Sequence, residues 1–333
     1  MAYKAADISV VVPVGDGSAS AREVVKTALE ASPPSGEVVA VDDGVADDSL
    51  AAFPASDRLR LVPNDGAPGP AGARNAGARA ARGAVILFID ADVFVPGDIF
   101  QRVGDAYGDD VDAVLGVEAE LPDLPNFASR YKNLWMRFTY LILPRRVDLF
   151  YTSCASIKKD VFLAAGGMDE GYKKPSVEDT AFGRALAARG ARVVLEKGIE
   201  VEHRKVYGTA EALATGFRRG AALARCILRM GRRRGAGGNR TSVPTSFILS
   251  LPLPALFLLW AALAPFAGEA AAIGAGATLA AIYVLNIGWL VFLSKRGATM
   301  AAGALAFLPL ELAFGLAGGA WGTASYFLLQ RRY

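Results

Sequence analysis

The chain has 333 residues, 53% of them hydrophobic, with a mean hydropathy of +0.30 and a net charge of +3. So small an excess of cations gives no electrostatic basis for nucleic-acid binding. Two distant cysteines, Cys154 and Cys226, without CxxC or finger spacing, argue against a disulfide framework or a zinc finger and fit a reducing compartment.

Hydropathy divides the chain near residue 240, mixed and charged before it and dominated by three apolar stretches after it. The β-branched run "DISVVVPV" (7–14), closed by Pro13, predicts a strand and not a signal peptide, so the first half is expected in the cytoplasm. A helix is predicted near 19–31, strands in "GEVVAVDDG" (36–44) and "LRLVPN" (59–64), and an alanine-rich helix in "GPAGARNAGARAARG" (69–83). A strand over 84–90 ends in "FIDADV", with Asp90 and Asp92 one residue apart. Near-continuous apolar strands alternating with helices predict a mostly parallel, doubly wound sheet, which takes ligands at its carboxyl ends. Asp42-Asp43 and Asp90-x-Asp92 both fall at such ends. Taken alone, the second pair reads either as a polar turn or as a site for a metal that carries a phosphate.

Residues 113–121 predict a further strand, and 124–144 a helix mixing Tyr131, Trp135 and Phe138 with Arg130, Lys132 and Arg137. Such a helix lies either on a core with a basic outer face or at a membrane surface. The segment 208–230 has the same character, with Leu213, Phe217, Ala221, Ala224 and Leu228 at helical spacing on one side and Arg218, Arg225 and Arg229 on another. Eight arginines lie from Arg218 to Arg240. Beyond them, stretches of about 245–266, 270–293 and 300–329 are each long enough to cross hydrocarbon as a helix, the third interrupted by Pro309 and Glu311. The basic run before the first span and Lys295-Arg296 after the second place the charged domain on the cytoplasmic side. Three spans would leave Arg331 and Arg332 outside, against the same rule.

"VVVPVGDG", "VVAVDDGVADDS", "GPAGARNAGARAARGAVILFIDADV", "AAGGMDEGY", "VEDTAFGRALAARGARV" and His203 in "EVEHRK" follow one another over about 8–203. In order and spacing this series resembles a membrane-anchored bacterial family 2 glycosyltransferase of the GT-A fold. The resemblance implies a Rossmann-like, nucleotide-diphospho-sugar transferase domain over 1–207, a basic amphipathic interfacial helix and linker over 208–244, and transmembrane helices over 245–333. It implies a UDP- or GDP-sugar donor and a Mn2+ or Mg2+ ion that neutralises the leaving diphosphate. Asp92 and His203, with Asp90, would hold the metal. Asp90 would also contact the nucleotide, Asp42 or Asp43 the base or ribose, and Arg74 the diphosphate or base. Pro13 and Val14 would line the same pocket. Asp179 would be the general base, with Glu178 orienting it. Gly166 and Gly167 would line the sugar pocket, bordered by Ser153 and Cys154. Asp169, Trp135, Arg218 and Arg219 are candidate acceptor contacts.

The motif of processive relatives, Gln-x-x-Arg-Trp, has no counterpart in "GFRRGAALARC", which argues against polymerisation through a channel. No GxGxxG follows the first strand, which excludes a typical dinucleotide-binding dehydrogenase. The expected activity is metal-dependent, inverting transfer of a sugar to a hydroxyl acceptor held at the cell membrane, a lipid-linked saccharide or lipid, in cell-envelope glycan synthesis. The alternatives are transfer to a polyprenyl phosphate and a non-catalytic nucleotide-binding scaffold.

Overall fold

The computed structural model describes residues 3–15, 17–45, 48–230 and 241–333. Of the basic stretch 218–240, residues 231–240 thus lie outside the described residues. The chain divides into two compact units. One comprises the chain up to Leu121, Tyr140–Lys205 and a short stretch ending at Ser242, the other Pro122–Thr139, Val206 to the end of the basic helix and Val243–Tyr333.

The first unit opens with β1 (Ile8–Val14), α1 (Ala19–Ala31), β2 (Glu37–Asp42), β3 (Leu59–Pro63), α2 (Pro70–Ala80) and β4 (Val85–Phe88). Strands β1 to β4 pair in the parallel order β3-β2-β1-β4. The chain therefore winds outward from β1 through β2 to β3, then crosses back by α2 to the other side of β1. That reversal creates a crevice at the carboxyl ends of β1 and β4, where such sheets bind ligands. Pro13 is tolerated inside β1 for a positional reason. Val11 accepts from Ile89 N, and Pro13, two residues on, faces the same side beyond the β4 ladder, so its missing N–H breaks no bond there.

Helix α2 starts at Gly69, whose φ of 113° favours glycine, and has Pro70 at its first position. Its residues from Ala71 to Ala78 are all buried. A Cβ on Gly77 would come within 2.3 Å of Val11 Cγ1, so the small residues let the helix lie close on β1 and β2. Glycine inside a helix costs about 1 kcal/mol of propensity, and here that cost permits the close approach.

The chain continues through β5 (Val93–Phe94), α3 (Ile99–Ala106), β6 (Ala113–Glu118), α4 (Phe127–Leu141, mostly in the second unit), β7 (Arg146–Val147), β8 (Ala155–Lys158), α5 (Lys159–Ala164), α6 (Glu178–Ala188) and β9 (Val193–His203). Strand β8 runs antiparallel between β4 and β6, and β6 pairs parallel with β9. Short β5 returns antiparallel to the end of β9, setting Val93 opposite His203. A core of Val10, Val12, Val25, Leu87, Ile89, Phe100 and Val114 fills the space under the sheet. Helix α6 has Val177 as its N-cap, and the Ser176 amide before it donates to Glu178 Oε2 at 2.9 Å.

The second unit holds most of α4, with α7 (Thr209–Met230), α8 (Thr245–Ser250), α9 (Leu253–Leu285), α10 (Ile287–Ser294) and α11 (Ala298–Leu328). Two helices, Thr245–Leu285 and Ala298–Leu328, are long and apolar enough to cross a membrane. The first is not straight: Gly268 takes φ 50°, ψ −120°, after Pro265. A Cβ on Gly274 would meet the Trp260 ring at 2.5 Å, although a straight helix separates those residues by about 21 Å. Asn286 likewise donates to Ser250 Oγ at 2.8 Å across 36 positions. The chain therefore doubles back at Gly268 into a helical hairpin. Helix α11 runs unbroken through Pro309 and Glu311, and Glu311 accepts from Lys132 Nζ at 2.9 Å and Tyr131 Oη at 2.8 Å.

Candidate functional site

Five segments of the first unit converge on the crevice. The apolar β4 ends at Phe88 and releases the chain into a turn that carries Asp90 and Asp92. Because β5 pairs with the end of β9, that turn is held beside His203. His203 Nε2 lies 3.2 Å from Asp92 Oδ1, within ion-pair distance, and this buried nitrogen has no hydrogen-bond partner. On the opposite ring edge, Nδ1 is 2.8 Å from Oε1 of Glu118, the last residue of β6. Burial favours the neutral ring, but Glu118 and Asp92 outweigh it and push His203 up to about 10. Burial likewise works to raise the Asp92 carboxyl, yet contact with His203 and the charges of His203 and Lys205 hold it below the usual carboxylate range.

The second cluster is built on Arg74 of α2. Its guanidinium donates from Nη2 to Asp90 Oδ1 at 2.6 Å and from Nη1 to Glu178 Oε1 at 3.0 Å. Its Nε–H is buried without a partner. Burial opposes the Arg74 charge, but Asp90, Glu178 and neighbouring Asp179 more than compensate and leave its pKa raised. One fork thus ties the turn after β4 to the first turn of α6. There Asp179 Oδ1 accepts from Thr180 N at 2.5 Å, and the residue stays half-buried beside the buried Glu178.

Asp42 and Asp43 are both engaged locally. Asp42 Oδ1 accepts from Gly44 N at 3.0 Å and Val45 N at 2.8 Å, closing the turn after β2. Asp43 accepts from Asn64 Nδ2 at 2.7 Å and Gly69 N at 3.0 Å, holding the loop that leads into α2. Val14 sits at the end of β1 and its carbonyl accepts from Asp43 N. Gly166 and Gly167 take φ of 89° and 72°. Asn75 pins the loop after them: Met168 N donates to its Oδ1 at 2.8 Å, and its Nδ2 donates to Met168 O and Glu170 Oε1, both at 2.9 Å. Asp169 is exposed, and its Oδ1 accepts from Gly171 N. Cys154 is buried under the sheet just before β8. Trp135, Arg218 and Arg219 belong to the second unit, where Trp135 packs on Phe247 and Trp289, and Arg218 pairs with Glu211.

The sequence reading had no place for Glu118, Asn64 or Asn75, the residues that orient His203, Asp43 and the glycine loop. Only Glu118 left a trace: a lone acid closing a strand that is otherwise entirely apolar and buried.

The geometry suits a small charged ligand. Among the described residues no three His, Cys, Asp or Glu side chains gather tightly enough to hold a metal by themselves. Asp92 and His203 offer one oxygen and one nitrogen ligand, a set that suits a hard divalent ion completed by phosphate oxygens of a substrate.

Residues 9–164 match the family described as Glycosyl transferase family 2. The succinoglycan biosynthesis protein ExoO of Rhizobium meliloti (strain 1021) is 36% identical over 141 residues, covering 37% of this chain and 40% of its own length. The chain thus spans well under half of that relative. Among solved structures, the mannosyltransferase PcManGT from Pyrobaculum calidifontis, in complex with GDP-Man and Mn2+, aligns with a TM-score of 0.56 and 20% identity. That alignment covers 95% of this chain and 87% of the other. TarS 1–349 of S. aureus, in complex with UDP-GlcNAc, aligns at 0.48 and 15% identity, covering 96% and 91%. The fold of the first unit is GT-A-like.

Proposed function

We propose that the family 2 glycosyltransferase domain formed by residues 9–164, completed by Glu178, Asp179 and His203, performs metal-dependent, inverting sugar transfer from a nucleotide-sugar to an acceptor at a membrane. The observation that carries this reading is the buried His203 Nε2 set 3.2 Å from Asp92 Oδ1, in the crevice where a parallel sheet binds its ligand. A divalent ion held there by Asp92 and His203 supplies positive charge to the diphosphate leaving group. Mn2+ and Mg2+ both accept carboxylate and phosphate oxygens, and the imidazole ligand favours Mn2+ of the two. The GDP-Man and Mn2+ of the Pyrobaculum protein are of the same chemistry.

The chain's own residues account for the rest of the reaction. Asp90, fixed by Arg74, faces the nucleotide, and the loop at Pro13 and Val14 with Asp42 and Asp43 shapes the pocket for base and ribose. Gly166 and Gly167 allow the loop before Met168 to line the sugar. Asp179 takes the acceptor hydroxyl proton as its oxygen attacks the anomeric carbon, a step worth about 100- to 10,000-fold in rate. Glu178 is held by Arg74 and Ser176, so it sets the first turn of α6 and with it the direction of Asp179. A single displacement inverts the anomeric configuration.

The membrane reading rests on exposure. Leu258, Phe266, Ile273 and Leu328 are 64%, 87%, 65% and 80% exposed in helices that water would not tolerate bare. Arginines 218, 219, 225 and 229 on α7 suit anionic headgroups, at about 1 kcal/mol for each well-placed cation. The acceptor is a lipid or lipid-linked saccharide on the cytoplasmic side, and the match to ExoO supports a place in polysaccharide synthesis. The test is nucleotide release by the purified full chain from a panel of UDP- and GDP-sugars, with Mn2+ or Mg2+ against EDTA. Release that needs the ion and disappears in Asp92→Ala is expected, and undiminished turnover in EDTA would refute the metal reading.

A further inference from the structure

Glu118 is a carboxylate where the sequence pattern has no use for one. It closes β6, a strand buried at every position, and is itself only 4% exposed. A buried charge is costly unless it is paired, and Glu118 pairs with the chain's single histidine. The pairing is one-sided in a consequential way. Glu118 Oε1 takes the Nδ1 edge of His203 at 2.8 Å, which leaves Nε2 on the far edge turned to Asp92 at 3.2 Å.

A carboxylate hydrogen-bonded to Nδ1 keeps the proton on that nitrogen. It thereby fixes the tautomer whose lone pair emerges at Nε2, stops the ring from flipping, and raises the basicity of the free nitrogen. The backbone reinforces the arrangement: β6 and β9 are parallel neighbours with Glu118 opposite Val201, and His203 lies two residues further along. Carboxylate and ring are thus placed by the sheet and not by a loop.

We propose that Glu118 is a positioning residue that sets the tautomer and orientation of His203 so that Nε2, together with Asp92, receives a divalent cation. This rests on the metal reading given above, and the experiment separates the two. Mn2+ is titrated alone, without donor, into the full chain in detergent, and the unbound aquo-ion is read by EPR. Pulsed EPR of the bound ion then reports coupling to a ligand nitrogen.

In the wild type, binding should depend on Asp92 and show one histidine nitrogen. In Glu118→Ala the affinity should fall about 10- to 100-fold, with the nitrogen coupling lost. Glu118→Gln, whose amide oxygen still accepts from Nδ1, should keep the coupling and lose less affinity. Wild-type affinity and coupling in Glu118→Ala overturn the inference while leaving the metal reading intact. If Glu118→Ala does not fold, wild-type affinity and coupling in Glu118→Leu, which fills the space without an acceptor for Nδ1, overturn it instead. A wild-type chain whose Mn2+ binding is unchanged by both Asp92→Ala and His203→Ala refutes the metal reading and this inference together.

Discussion

Arg74 joins two acids 88 positions apart in sequence, Asp90 and Glu178, through one planar fork. With the guanidinium removed, buried Glu178 keeps the Ser176 amide but loses its cationic partner, so Arg74→Met should destabilise the first unit by about 3–5 kcal/mol. Arg74→Lys should recover only part, since an ammonium is a point charge without the fork. Chemical denaturation followed by tryptophan-independent far-UV signals would measure both. His203 gives a second residue-level expectation. Its pKa rises from 6.5 to about 10 in the folded, metal-free chain. Folding therefore gains stability that is complete below about pH 6.5 and is lost as pH climbs towards 10. In EDTA, the difference in melting temperature between wild type and His203→Asn should shrink over that window; a constant difference would contradict the pairing. The carboxylates and His203 were legible in the sequence because each closes a strand or opens a helix. Their orienting partners were not, because Glu118 and the Arg74 fork are contacts made by the fold and leave no local pattern.

At the scale of elements, Asn75 ties α2 to the backbone that follows Gly166 and Gly167. Asn75→Ala removes bonds to the Met168 backbone and to Glu170, so amide exchange over 166–170 should accelerate while β1 and β2 remain protected. The alternation of apolar strands and small-residue helices made the parallel half of the sheet readable from sequence. The two-residue strands β5 and β7 carry too few positions to show a period, and the antiparallel insertion of β8 depends on pairing alone. At the start of α6, Ser176 has the residue type of a helix cap, yet the Glu178 side chain takes its amide and Val177 caps the helix. Helix α7 shows a similar shift. Its buried line runs through Ala212, Ala221, Ala222 and Cys226 rather than through its larger residues. The reason is its neighbour α11, where a Cβ on Gly318 would meet Phe217 O at 2.1 Å, and small residues let the two backbones approach.

For the whole molecule, the reversal at Gly268 decides the path of the C-terminal helices. On the membrane reading proposed above, the hairpin would make crossings of 245–267, 269–294 and α11, and would put its tip on the face opposite residue 243. A cysteine placed at Glu269 should be labelled by an impermeant reagent only from that opposite face. Labelling from the face that residue 243 occupies would contradict the hairpin crossing. Length and hydropathy alone marked three apolar stretches, but the turn between the first two was legible only as Pro265 and Gly268 in an uncharged run. Glu311, the acid that interrupts the third stretch, is accommodated because Lys132 neutralises it and Tyr131 donates a hydrogen bond to it within the helical unit.

The central claim is that Asp179 removes a proton from an acceptor hydroxyl in a site completed by Asp92 and His203. It is tested most directly by the rate of nucleoside-diphosphate release in Asp179→Asn, measured at saturating donor and Mn2+ in membranes that supply the acceptor. The account predicts a fall of about 100- to 10,000-fold with donor affinity unchanged. A rate within a few-fold of wild type would contradict it and point to an acceptor that is already ionised, such as a polyprenyl phosphate.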